Sequence, residues 1–553
     1  MNIMTRIFGS WLLICLLPLI APAQHIAMPG ASQTKYKVPV LKGKELNPVL
    51  RITIDATAED EVLQSVSILT KTSVPSGKVL QLKLFAAGTD STFQKAEKLA
   101  GKTLFSESKH PLKEMTTLTG NIPLQKGKNY IWLTVTLAAG ADPAAFLMVN
   151  VPEIKLKSGI LKIKGNNYAH RTGIALRQHN QDNVHTYRIP GLATANDGTL
   201  LAIYDTRRDS GRDLQGNIDI GLSRSMDKGK TWLPMQIVLD MGTWGNLPEK
   251  FNGVSDANIL VDKKTGHIFI AGLWMYGVIN DQGKWIEGLN EGSKEWNHQW
   301  KTKGSQPGFD VKQTAQFLVV KSTDNGKTWG KPVNLTKMCK QEDWWLWAPA
   351  PGQGITLKDG TIVFPTQGRD AKGKAFSNLT YSKDAGLSWQ VSHAATSEST
   401  TENMAVELSD GTIMLNMRSN KNRTDTSSTN GRAVAVTRNL GKDWNLHSSS
   451  HNALPEPTCM ASIIRHDFEH KGKKRSVLLF SNPDSKTARN HMTIKISFDD
   501  GKTWPSAKKI LLDQENSRGY SCLTSIDNNT IGILYESSQA DLVFQRIKLD
   551  ELL

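Results

Sequence analysis

Five copies of one short pattern run through the last two thirds of the chain. They read Ser225-x-Asp227-x-Gly229-x-Thr231-Trp232, Ser322-x-Asp324-x-Gly326-x-Thr328-Trp329, Ser382-x-Asp384-x-Gly386-x-Ser388-Trp389, Thr437-x-Asn439-x-Gly441-x-Asp443-Trp444 and Ser497-x-Asp499-x-Gly501-x-Thr503-Trp504. Each residue type has a physical job in the tight turn of a β-hairpin. The Asp carboxylate accepts from nearby backbone N–H groups, the Gly takes a positive φ, and the Trp folds its ring under the turn. From Asp to Asp (Asn in the fourth, degenerate copy) the spacings are 97, 60, 55 and 60 residues. That is room for one four-stranded unit per copy, with an insertion or a motif-free unit in the first gap. A hairpin repeat of this length predicts a β-propeller.

The N-terminus carries Arg6, an apolar run from Ile7 to Ile20, and Ala21-Pro22-Ala23 before Gln24. This reads as a secretory signal peptide over residues 1–23, too short in its apolar part to span a membrane. The expectation is an exported protein, periplasmic, surface-associated or secreted, with no integral membrane segment after cleavage. Cys15 lies within the apolar run after Ile14, where a lipoprotein signal wants a small residue. Cys339, Cys459 and Cys522 then remain, a sparse and odd set that argues against a disulfide framework and a Cys-based metal site.

Cleavage leaves 530 residues, enough for a propeller and an accessory module. The formal charge of +15 is spread along the chain, so nucleic acid is not the expected partner. The densest basic cluster, Lys471-Gly472-Lys473-Lys474-Arg475, reads as a solvated hairpin loop. A basic surface does favour encounter with anionic glycans.

Between residues 24 and 160 the repeated turn is absent. β-rich runs recur at Leu50 to Ile54, Leu63 to Leu69, Val79 to Phe85, Tyr130 to Leu137 and Ala145 to Val151, the pattern of an antiparallel β-sandwich. From about residue 168 to 553, short strands alternate with Asp-Gly turns such as Asp197-Gly198, Asp359-Gly360 and Asp410-Gly411. The Trp-rich stretch from Met241 to Gly308 is compatible with core packing or with loops that shape a pocket.

The repeat resembles the Asp-box of sialidases, and the resemblance sharpens at Tyr187-Arg188-Ile189-Pro190, similar to the family's aromatic-Arg-Ile-Pro motif. It implies an all-β fold, a six-bladed β-propeller preceded by a β-sandwich domain, with the Asp-boxes on the rim away from chemistry. It also implies an ordered site. Arg188 matches the first carboxylate-binding arginine. Arg207 and Asp213, in Asp205-Thr-Arg207-Arg208-Asp209-Ser-Gly-Arg212-Asp213, match a sugar-hydroxyl arginine and the acid/base, with Asp209 the competing carboxylate. Asp256 matches a pocket aspartate, although Ala257 stands where a Pro often follows. Glu402 and Arg418 match the family's glutamate and second arginine, and Arg489 the third. Gly519-Tyr520-Ser521-Cys522-Leu523 matches the nucleophile segment, with Tyr520 as nucleophile and Tyr535 as the rival. Glu407 reads as an ordinary strand residue.

These types make chemical sense together. A sialic acid bears a carboxylate on its anomeric carbon, and three guanidiniums supply fixed bidentate donors for it. A carboxylate nucleophile would be repelled by that charge, whereas a neutral phenol is not, so the usual two-carboxylate scheme gives way. Glu402 would take the phenol proton and Asp213 would serve the leaving oxygen. No metal or cofactor is required by that chemistry, and His466 and His470, placed in the charged hairpin loop, lack a third ligand. The expected partners are sialylated glycoconjugates, and the expected state is a monomer. The alternatives are a noncatalytic Asp-box propeller that binds glycans or proteins, and a glycosidase for neutral polysaccharide, which would not need three arginines.

Overall fold

The computed structural model describes residues 29–73, 79–108, 113–301 and 303–553. The signal-peptide reading and Cys15 lie outside them. Among the described residues the fold is all-β, with two four-residue α-helices, Ala96–Leu99 and Thr336–Cys339, and a few single 3-10 turns.

Near the N-terminus one five-stranded sheet runs in the order Gly30–Lys35, Asn47–Ala56, Gly127–Leu137, Val79–Ala86, Thr103–Glu107. Opposite it, Val62–Thr72 lies between Met115–Pro123 and Phe146–Leu156. Alternating side chains from both sheets, including Ile52, Ile54, Val66, Leu82, Leu133 and Val149, bury one apolar core, as the period of two along a strand requires. The strand Ala169–Arg177 links this region to the rest. Its start pairs with Phe146–Leu156, while Ile174 to Arg177 pair with Leu542–Lys548.

Six sheets follow, antiparallel in their main strands, with Gly352–Gln353 added in parallel to the edge of the second. The first comprises Thr186–Thr194, Leu200–Arg207, Ile218–Ser225 and Gln236–Leu239. The second starts with Val254–Val261, the third with Leu346–Pro349, the fourth with Thr400–Glu407 and the fifth with Ser462–His470. The sixth takes Ser521–Asp527, Thr530–Tyr535 and Leu542–Lys548 and borrows Ala169–Arg177 as its fourth strand. The first strands of the first and second sheets touch, as do those of the first and sixth.

Every repeated turn closes the hairpin between the third and fourth strands of its sheet, beginning at Ser225, Ser322, Ser382, Thr437 and Ser497. The long first gap is an insertion, residues 275–315, between the strands Ile268–Trp274 and Gln316–Ser322. The turns themselves are local hydrogen-bond circuits. In the first, Gly229 N donates to Ser225 Oγ (2.8 Å), Thr231 N to Asp227 Oδ1 (2.9 Å) and Thr231 Oγ1 to Asp227 Oδ2 (2.6 Å).

One placement differs from expectation. Ser462–His470 and Lys473–Pro483 form a single long hairpin turning at Lys471 and Gly472. His466 is therefore a buried strand residue bonded to Ser525 Oγ (2.8 Å), not a loop residue.

Candidate active site

Three first strands are bent where they deliver a site residue. Opposite Leu200–Arg207 the register breaks between Arg188 and Gly191, and Ile189 has φ +57°. In the second sheet it breaks between Ser255 and Asn258, with Asp256 at φ +58°. In the fourth it breaks between Thr400 and Asn403, beside Glu402, after Ser399 at φ +55°. A β-branched residue at positive φ is strained and persists only where its surroundings fix it. Such bulges re-aim side chains, and here Arg188, Asp256 and Glu402 all line one cavity of about 560 Å³.

Asp213, Arg418, Arg489 and Tyr520 line the same cavity. The phenol of Tyr520 donates to Glu402 Oε1. Arg418 Nη1 donates to Glu402 Oε2 (2.5 Å) and to Tyr520 Oη (3.2 Å). The guanidinium carbons of Arg188 and Arg489 lie 5.1 and 5.6 Å from the centre of the Tyr520 ring. Arg489 is held by donating to the carbonyls of Arg518 and Thr458, both at 3.0 Å. Burial and the Glu402 carboxylate push the phenol well above its usual range, against the pull of Arg418 and Arg489.

Gly519 makes this approach possible. It has φ +88°, and a Cβ there would sit about 3 Å from Pro483 Cγ, Cys459 Sγ and Arg489 Cβ.

A buried carboxylate that the sequence did not single out ties these parts together. Glu536 Oε1 accepts from Arg188 Nε (2.8 Å) and from Ile189 N (3.1 Å), and Oε2 from Tyr520 N (3.0 Å). Burial alone would raise its pKa, but the Arg188 charge and these bonds hold it below the ordinary value. Glu536 therefore fixes the strained turn at Ile189, the arginine before it and the tyrosine in one stroke.

Asp213 sits at the side of the cavity, paired with Arg207 Nη1, 3.9 Å from Arg188 Nη1 and 3.3 Å from His298 Nε2. Burial raises its pKa, but the His298 bond and the Arg207 and Arg188 charges outweigh it and leave it far below the carboxylate range. Asp256 is the opposite case: burial, then the neighbouring Asp205, Glu402 and Asp213, push it well up.

Arg207 is placed differently from the other matched residues. It is 1 % exposed and lies beneath Asp213, donating to Asp205 Oδ2 (3.1 and 2.9 Å) and to Gly211 O (3.1 Å). Its contacts here are to Asp213, to Asp205 on its own strand and to Gly211 in the loop that follows, not to the cavity. The rivals lie elsewhere. Tyr535 is buried and donates to Gln545 Oε1 (3.1 Å), Asp209 faces a separate surface groove, and Glu407, at the far end of its strand, accepts from Lys358 N (2.9 Å).

The insertion contributes His298, Gln299, Trp300 and Lys301 to the cavity wall, while Trp274 on the preceding strand and Tyr276 and Trp285 within the insertion pack with the apolar core of the first two sheets. The Trp-rich stretch thus serves both of its expected purposes. No local pattern marks His298 as a partner of Asp213.

Residues 29–159 match the N-terminal domain of BNR-repeat neuraminidase, and residues 189–536 match the BNR repeat-like domain. The chain is 36 % identical to a sialidase of Bacteroides fragilis over 99 % of both chains. It is 34 % identical to a sialidase of Micromonospora viridifaciens, over 63 % of this chain and 50 % of that one. The solved structure of Hadza microbial sialidase Hz136 superposes with a TM-score of 0.84 at 34 % identity, covering 94 % of this chain and all of the other.

Proposed function

The chain belongs to the sialidase family, and from that premise we propose that it is a retaining exo-α-sialidase acting through a sialosyl-tyrosine intermediate. Its substrates are terminal α-linked sialic acids of glycoproteins, glycolipids and oligosaccharides. The six sheets are read as the blades of a six-bladed propeller over residues 168–553, closed by the loan of Ala169–Arg177 to the sixth, with a β-sandwich module over residues 24–160 packed beside it. The leader-like residues 1–23 make it an exported enzyme.

The observation that carries the reading is the phenol of Tyr520 held between Glu402 and Arg418, with Arg188 and Arg489 flanking its ring. The substrate carboxylate docks on the three guanidiniums. Glu402 takes the phenol proton as Oη forms a bond to the anomeric carbon, and the bond from that carbon to the leaving oxygen breaks. Asp213 gives its proton to that oxygen, then takes one from the water that opens the intermediate. Two displacements retain the configuration.

The low pKa of Asp213 in the free cavity has a place in this scheme. A bound carboxylate cancels part of the Arg188 field that depresses it, so substrate itself raises the acid towards the protonated form. Asp256 is assigned to substrate binding, while Arg207, buried beneath Asp213, serves to hold the acid/base rather than to reach the sugar hydroxyls.

The test uses a sialosyl fluoride with a second fluorine beside the anomeric centre, which slows breakdown of the intermediate. Peptide mapping should find the sugar on the peptide containing Tyr520, and Tyr520→Phe should abolish the label. Label on Tyr535 would keep the mechanism and correct the residue. No adduct, together with no release of sialic acid from sialyllactose, would favour a noncatalytic glycan-binding propeller.

A further inference from the structure

We infer that His298 is a positioning residue for Asp213, donating its Nε2–H to one carboxylate oxygen and keeping the group aimed and ionised between turnovers. The inference rests on the reading of Asp213 as acid/base.

The direction of the bond follows from the other ring nitrogen. Trp300 N donates to His298 Nδ1 at 3.0 Å, so Nδ1 is an acceptor and the single ring proton belongs on Nε2. Nε2 lies 3.3 Å from Asp213 Oδ2, while Oδ1 is taken by Arg207 Nη1. A neutral imidazole has only that one proton, and giving it up would leave an imidazolate. His298 is therefore not a proton source; it orients the carboxylate and favours its charged form.

The loop that carries it is braced for the purpose. The Trp296 ring packs edge-on against His298 at 6.1 Å, and the Arg212 guanidinium, adjacent to Asp213, lies 4.8 Å over the Trp296 ring. The 275–315 insertion is thereby clamped to the segment bearing the acid/base.

The other charged groups around Asp213 are Arg188 from the strand Thr186–Thr194, Asp205 and Arg207 from Leu200–Arg207, and Asp256 from Val254–Val261. Arg518 packs against Gly211 two residues away, and Lys301 lines the same cavity. His298 differs from all of these in being a neutral donor on Oδ2. Removing a single hydrogen bond to the charged form should move the carboxyl by about one pH unit.

Measured as kcat against pH on sialyllactose, where bound substrate has raised the acid, the alkaline limb reports loss of the protonated acid. His298→Ala and His298→Phe should each shift the alkaline limb up by about one pH unit. His298→Gln, which can present an amide N–H near the Nε2 position, should restore the wild-type limb. The Phe variant keeps the ring's bulk and gives the same readout should the Ala variant not fold. An unmoved alkaline limb in folded His298→Phe, or equal shifts in Phe and Gln, would overturn the inference. Asp213→Ala on sialyllactose and on an aryl sialoside separates the two levels. Equal damage to both substrates sinks the acid/base reading and this inference with it. Selective damage to sialyllactose with an unmoved limb in the His298 variants sinks the inference alone.

Discussion

In the turn at Asp227 the carboxylate's hydrogen-bond partners come from within four residues, namely Ser225, Lys230 and Thr231. In the cavity wall the Glu536 carboxylate reaches Arg188 and Ile189, 348 and 347 positions away. The same functional group does both jobs. A turn whose bonds close on themselves can be repeated anywhere a hairpin needs a corner, and its residues must recur in register. A carboxylate that gathers distant segments works once, in one fold, and leaves no periodic trace. The first kind determines where the sheets turn, the second where the chemistry happens, and substitutions in the two should separate stability from activity.

The strongest break of that comparison is at the tyrosine. Tyr520→Phe removes the hydroxyl that faces Glu402 and Arg418 and should cut kcat by about 10³-fold or more, with little change in the thermal midpoint. Next come Arg418→Ala and Arg489→Ala, which should each lower kcat/KM by about 2–5 kcal/mol through loss of a charge-assisted contact in a shielded site. Unchanged kcat/KM in either folded variant would show that the carboxylate is held elsewhere.

Glu536→Ala tests whether the long-range carboxylate is structural as well as functional. It strips the buried Arg188 of its bonded anion and frees Ile189 N and Tyr520 N. A broken buried pair costs about 3–5 kcal/mol, so both the urea midpoint and kcat/KM should fall. Asp227→Ala should do the reverse. Losing its local bonds should cost about 1 kcal/mol of stability and leave kcat/KM untouched. Those bonds hold the Asp227 carboxyl below its usual value in the fold despite partial burial, so the contribution is present above the unfolded pKa near 4 and fades as pH falls through the folded one. The difference between wild type and Asp227→Ala should therefore shrink in acid.

The contrast also explains what the sequence disclosed. The repeated turns and the strand runs were legible because they are local, and the resemblance to sialidases pointed to Arg188, Asp213, Glu402, Arg418, Arg489 and Tyr520, which the structure brings to one cavity. Glu536 was not, although it closes the apolar run Ile531 to Tyr535, because nothing local distinguishes it from a solvent-facing strand end. His298 lies in an insertion without periodicity, and its meaning depends on Trp300 N–H and on a carboxylate 85 positions earlier. The resemblance to sialidases makes Arg207 a sugar contact, while its burial under Asp213 depends on Asp205 and Ser255, which bond to each other across two sheets (2.7 Å).

The smallest expected effect concerns the fourth turn, where the pattern looks degenerate and the structure gives it a reason. In four turns a Thr or Ser hydroxyl donates to the Asp carboxylate, as Thr328 does to Asp324 at 2.6 Å. In the fourth the polarity is exchanged: Asn439 Nδ2 donates to Asp443 Oδ2 at 2.8 Å. The remaining bonds, Asp443 N to Asn439 Oδ1 and Gly441 N to Thr437 Oγ1, both at 3.0 Å, are kept. Two changes therefore compensate within one circuit. Asn439→Asp alone sets two carboxylates against each other, and Asp443→Thr alone leaves two N–H groups of Asn439 competing for one hydroxyl oxygen. At this exposed site each single change should cost about 0.5 kcal/mol. The double substitution Asn439→Asp with Asp443→Thr rebuilds the form of the other turns and should recover most of that loss, giving a coupling energy of opposite sign to the single costs in a double-mutant cycle. Additive losses would mean that the fourth turn is held by its backbone bonds and its Trp444 ring alone, and that the exchanged pair is incidental.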